Sequence, residues 1–175
     1  MELLMKENFC RFWRNAAAPV TVITSSISST LAGMTISSLT SLSVGPPKLM
    51  VSFNCQSPSR TASVLLQRKK LMVNMLSTRP DNVLLAKAFA GRTADGHKLN
   101  PFEKYPLLFT DKNEAKIPMI TDCVGNLLCT VENSMSVQDH DIIVASVDRV
   151  WVNDKLSPLV YRRHQFLGLT PYCVA

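Results

Sequence analysis

Short apolar runs rich in β-branched residues recur along this chain, each only a few residues long. Residues 19–25 (Pro-Val-Thr-Val-Ile-Thr-Ser), 48–54 and 71–76 read as strands, and the pattern returns at 117–121, 127–132, 141–147 and 150–152. The pairs Gly125-Asn126 and Asn133-Ser134 look like the turns between the later strands. Helical spacing appears twice. Ser57-Pro58-Ser59-Arg60-Thr61 offers capping hydroxyls ahead of Ala62, Val64, Leu65 and Leu66, which predicts a helix beginning near Ser59 and ending at Lys69-Lys70. Pro80-Asp81-Asn82 opens a second apolar stretch that stops at Gly91. Residues 92–116 are polar and aperiodic, with Gly96, Asn100-Pro101 and Tyr105-Pro106, and predict a long surface excursion. Strands that do not alternate with helices favour a mainly β fold, a small barrel with peripheral helices, over a doubly wound sheet. A chain of 175 residues is expected to make one domain over residues 1–175.

Between the first two strands, residues 33–47 pack hydroxyls and small side chains and end on Pro46-Pro47, which reads as a ligand-cradling loop. Composition narrows the ligand. Apolar residues make up 46% and charged residues 18%, a globular balance that excludes wholesale disorder. The formal net charge of +6 invites a nucleic-acid reading, yet the basic residues are scattered in small groups such as Arg68-Lys69-Lys70 and Arg162-Arg163-His164. They form no aromatic-interleaved stripe, so no nucleic-acid partner is expected and an anionic small ligand suits the charge better. No apolar run approaches the roughly 18 residues of a spanning helix, so no membrane partner is expected. The first fifteen residues, with Glu2, Lys6, Glu7, Arg11 and Arg14, lack a signal-like apolar core, which makes the cytoplasm the expected compartment and leaves an organelle such as the mitochondrion open. Five widely spaced cysteines without a Cys-x-x-Cys pair read as free thiols, and no metal site is expected.

Val-Thr-Val-Ile-Thr at 20–24, Gly-Met-Thr-Ile-Ser-Ser-Leu-Thr-Ser-Leu-Ser at 33–43 and Pro46-Pro47 together resemble the flavin reductase-like family of FMN-binding split barrels. The resemblance continues through residues 54–61, Val73-Asn74-Met75-Leu76, Asp139-His140 and Pro158-Leu159-Val160-Tyr161, and covers nearly the whole chain in the family's order. It implies a split β-barrel that binds FMN, or FAD, and takes hydride from NADH or NADPH. It also implies a short leading helix over residues 1–15, a homodimer, and a partner oxygenase that receives the reduced flavin.

On this resemblance Thr35, Ser37, Ser38, Thr40, Ser41 and Ser43 supply groups to the flavin ring, Met34 and Leu39 pack on its apolar part, and Asn54 is a further contact. Ser57, Ser59, Arg60 and Thr61 occupy the family's phosphate position, at a helix start whose free N–H groups and dipole favour an anion. By residue type alone the same segment reads as an ordinary N-cap. Asp139-His140 matches a Gly-Asp-His motif close to the nicotinamide nucleotide and makes His140 the candidate catalytic residue, but Gln138 stands at the motif's glycine. His164 reads as a surface residue and His97 as part of the polar excursion. The departure at Gln138 keeps a non-catalytic FMN-binding protein as an alternative, beside a pyridoxamine phosphate oxidase-type enzyme and a small interaction module.

Overall fold

The computed structural model describes residues 2–91, 100–110 and 115–170, so His97 and Cys173 lie outside the described residues. The chain opens with α1 (Glu2–Asn15), then β1 (Ala18–Pro19), β2 (Thr21–Ile27), β3 (Thr30–Ile36), β4 (Thr40–Ser43) and β5 (Met50–Gln56). Next come α2 (Arg60–Arg68), β6 (Lys70–Met75), α3 (Pro80–Phe89), a single turn α4 (Pro101–Lys104), β7 (Phe109–Thr110) and β8 (Met119–Ile120). The long strands β9 (Gly125–Val137) and β10 (His140–Val152) precede β11 (Val160–Arg162) and β12 (Gln165–Leu167). The mainly β character expected from the sequence is what the chain adopts.

The helices α2 and α3 start where the sequence signals them. The Ser59 hydroxyl accepts the Ala62 N–H at 3.1 Å, and Lys69 ends α2 in a left-handed conformation (φ 56°). α3 begins on Pro80, and Gly91 lies just past its end at φ 67°.

Three local expectations change. Residues 33–47 are not one loop, because Gly33–Ile36 completes β3 and Thr40–Ser43 forms β4, so only short connections remain irregular. Thr, Ile and alternating small residues suit a pleated edge as well as a loop, and the ladder partners decide between them. Gly125-Asn126 and Asn133-Ser134 are not turns either: both lie within β9, where Glu132 is accommodated as a bulge against Val144 and Ala145. The hairpin turn falls instead at Gln138-Asp139, and 150–152 continues β10. Lastly, the described part of the expected excursion folds onto the core. Phe102 and Phe109 pack against Phe89 with ring centroids 5.2 and 6.4 Å away, burial that outweighs the polar composition around them.

Seven strands form one antiparallel sheet in the order β3-β2-β6-β9-β10-β5-β4. Ile23 of β2 and Phe53 of β5 share a buried cluster with Leu65 of α2, Val73 and Ile143, although three strands separate β2 from β5. In a flat sheet those strands would lie about 19 Å apart, so the sheet must curl around α2. The curl stops short of closure. β3 and β5 exchange no strand ladder, and the Asn54 N–H instead donates to the Ser38 hydroxyl at 2.9 Å across the seam. The result is a barrel split along one side.

A buried polar node fixes how β2, β6, β8 and β9 meet. The Asn74 amide donates to Val22 O at 2.9 Å, while its Oδ1 accepts from the Ile120 N–H at 2.9 Å and from Asn126 Nδ2 at 2.8 Å. A second core, including Val20, Val22, Leu76, Leu85 and Phe89, lies under α3. Among the described residues no helix is long and apolar enough to cross a membrane.

Candidate functional site

The strand period of two builds one wall of the site. Along β5, Val51, Phe53 and Cys55 point into the core while Ser52, Asn54 and Gln56 face out. Gln56 stands opposite His140 in the β5–β10 ladder, and these two residues meet Asn54, Ser37 and Ser38 around a cavity of about 420 Å³. Met34 and Ile36 of β3 and Phe89 at the end of α3 supply apolar surface. A cavity of this size is large enough for a small ligand, and its wall is mainly polar with a smaller apolar share.

Gly33 permits α3 to come this close. A Cβ there would sit 2.5 Å from the Phe89 ring, far inside van der Waals contact. Thr35 then fastens the two elements, its hydroxyl donating to Ala86 O at 2.8 Å. On the other side of Ser37, Ser38 and Asn54 lies a larger cavity of about 860 Å³, which shares those three residues and reaches α1 and the β11–β12 turn.

The structure thus gathers Thr35, Ser37, Ser38, Asn54 and His140 onto one cavity wall. Thr40 and Ser41 stand exposed on β4 and line neither cavity. Ser57, Ser59, Arg60 and Thr61 stand together at the entry to α2, also off both walls. Two of their hydroxyls have structural partners: Ser59 caps the helix and Thr61 donates to Gly33 O at 3.0 Å, binding α2 to β3. The Ser57 N–H donates to Asp139 O at 2.8 Å, which ties the α2 entry to the turn carrying His140. His164 is exposed, as expected, and lines the larger cavity. Gln56, Phe89 and Ala90 were not among the expected residues. Extending the alternation outward from Asn54 would have found Gln56, whereas Phe89 arrives through tertiary packing that leaves no local signal.

His140 Nδ1 lies 2.9 Å from Asp139 Oδ1, and that bond, followed by a backbone N–H, holds the Asp139 carboxyl below the usual range. A proton on Nδ1 shared with Asp139 leaves Nε2 as the nitrogen available to a ligand. Burial, then the nearby Asp141, pushes the Cys55 thiol up to about 12, so this core cysteine is no nucleophile. Gln138 holds φ at 52°, the left-handed conformation that glycine adopts without strain.

The family model for the flavin reductase like domain matches residues 13–170. A relative from Rhizobium sp. (strain MTP-10005), the reductase component of an FADH2-dependent resorcinol hydroxylase, is 27% identical over 94% of this chain and 88% of its own length. The FMN reductase (NADH) RutF of Acinetobacter baylyi (strain ATCC 33305 / BD413 / ADP1) is 29% identical over 92% of this chain and 79% of its own. In fold the chain matches nitrilotriacetate monooxygenase component B from Mycobacterium thermoresistibile, with a TM-score of 0.81, 21% identity, and coverage of 100% of this chain and 95% of that one.

Proposed function

The chain belongs to the flavin reductase-like family, and on that premise we propose that it binds FMN in the cavity bounded by β3, β5 and α3 and reduces flavin with NAD(P)H. The observation that carries this reading is the convergence of Ser37, Ser38, Asn54, Gln56 and His140 on a single cavity. The donor set fits a flavin. Hydroxyl and amide groups share the wall with the apolar Met34, Ile36 and Phe89, the mix a flat ring with one polar edge requires.

FMN, when bound, takes hydride directly from the nicotinamide, so an acid–base pair in the protein is not obligatory. The residues' work is placement. Ser37, Ser38, Asn54 and Gln56 hold the polar edge, Thr35 fixes β3 against α3, and Phe89 and Ile36 exclude water. Ser57, Ser59, Arg60 and Thr61, with Thr40 and Ser41 nearby in the family pattern, take the phosphate and outer ring contacts. His140, oriented by Asp139, positions the nicotinamide nucleotide. Residues 1–175 act as one such domain, in the cytoplasm and as a homodimer, handing reduced flavin to a partner oxygenase. The relative named as the reductase component of a resorcinol hydroxylase supports the last step.

The test is an absorbance titration with FMN followed by anaerobic addition of NADH and NADPH. Bound flavin that bleaches within the mixing time supports a reductase. Bound flavin that stays yellow favours a non-catalytic flavoprotein, and no binding removes the assignment of the cavity.

A further inference from the structure

Three ties hold His140 to the segment that leads into α2. His140 ends the β5–β10 ladder against Gln56, the Ser57 N–H donates to Asp139 O at 2.8 Å, and Asp139 Oδ1 lies 2.9 Å from His140 Nδ1. Two residues beyond Ser57 the same segment caps α2 through Ser59, and Thr61 fastens that entry to Gly33 O of β3. The turn has little other support, because residues 138–140 are all exposed and no buried side chain anchors them.

Against these ties stands the backbone of Gln138. Val137 pairs with His140, which leaves Gln138-Asp139 as a two-residue hairpin loop, and Gln138 has φ 52°. A β-carbon in the left-handed region is strained, and turns that need it favour Asn or Gly. The net gain from one hydrogen bond is comparable to the cost of one left-handed residue. The hairpin end therefore sits near balance between a fastened state, with His140 beside Gln56, and a frayed one.

We propose that the flavin phosphate sets this balance: an anion held at the α2 entry keeps residues 57–61 in place and, through Ser57 and Asp139, fastens His140 for the nicotinamide nucleotide. The inference rests on the flavin reductase reading above, with the phosphate at Ser59 and Arg60. Asp139 is then a positioning residue that acts through His140. FMN makes the nicotinamide site competent, whereas riboflavin, the same ring without a phosphate, fills the ring site and leaves His140 loosely held. By linkage the nucleotide also binds FMN-loaded protein more tightly than riboflavin-loaded protein.

The experiment is steady-state turnover of the full chain with NADH and with NADPH, at saturating FMN or saturating riboflavin, with and without millimolar inorganic phosphate at matched ionic strength. The nucleotide KM should be roughly five- to thirtyfold higher with riboflavin, the span that strain at one left-handed residue allows, with a smaller change in kcat. Inorganic phosphate should recover part of that difference. Gln138→Gly removes the strain, so its KM with riboflavin should fall to the FMN value while its KM with FMN stays near wild type. His140→Ala should show one raised KM with both flavins and no response to phosphate. Equal KM values for the two flavins in the wild type, a riboflavin penalty that survives in Gln138→Gly, or a phosphate response that survives in His140→Ala overturns the proposal. Failure of the underlying reading appears separately, as wild-type protein that neither binds FMN nor reduces it.

Discussion

At the residue scale, Gln138 is the departure from the family motif, and its backbone suits a glycine. Its φ of 52° reproduces a glycine-like turn and leaves His140 opposite Gln56 at the cavity. A left-handed non-glycine residue carries about 1–2 kcal/mol of strain, and glycine loses roughly 0.5–1 kcal/mol through its freer unfolded state. Gln138→Gly should therefore stabilise the fold by up to about 1 kcal/mol, seen as a rise of roughly 2–4 °C in melting temperature, with NAD(P)H kinetics near wild type. A large gain in turnover would show that the Gln138 side chain obstructs the donor. Arg60 is the sharper test of the phosphate position, because it stands exposed at the first position of α2 and the structure gives it no other role. Arg60→Ala should weaken FMN binding by about 1.5–3 kcal/mol while the melting temperature holds, and equal affinities in a fluorescence titration would move the phosphate elsewhere.

At the scale of elements, the site depends on α3 lying against β3, and one missing side chain permits it. In Gly33→Ala the new Cβ would meet a Phe89 ring that is itself packed against the paired Phe102 and Phe109 rings, so the ring cannot swing away cheaply. We expect a loss of about 1–3 kcal/mol in denaturant unfolding together with weaker flavin binding, since the same ring lines the cavity. This dependence also separates what was legible in the sequence from what was not. The starts of α2 and α3 could be read because Ser59 and Pro80 act locally through caps and backbone geometry. The hydroxyl-rich stretch after Gly33 could be picked out as chemistry but not as strands, because its ladder partners lie in β2 and β5. Phe89 and the seam between Ser38 and Asn54 arise from the curl of the sheet, a long-range property with no periodic trace. The split barrel itself came from resemblance rather than from spacing.

At the scale of the whole molecule, the packed interior sets the response to alkali and the exposed exterior sets the assembly. Burial raises the thiols of Cys55, Cys123 and Cys129 from an ordinary 9.0 to about 12. Their protonated forms are favoured in the fold, so they cost nothing below the unfolded value. Stability should then fall as pH rises from about 9 toward 12, by at most about 1.4 kcal/mol per pH unit for each thiol, and Cys129→Ala should make the decline measured by urea unfolding shallower. The exterior is odder. α1 buries none of its residues, and Leu3, Leu4, Met5, Phe9, Phe12 and Trp13 are 58% to 82% exposed. A 14-residue helix that buries no residue is marginal in water, and among the described residues contacts from Arg162 and Arg163 secure its C-terminal end. A second copy packed on this face would give α1 the apolar burial it lacks, which supports the homodimer proposed above. Phe12→Asp places a charge in that face at a residue that lines neither cavity itself, so on the proposed dimer sedimentation should shift toward the 19.4 kDa monomer with at least about tenfold weaker association. If the variant sediments as the wild type does, a dimer through the α1 face is ruled out.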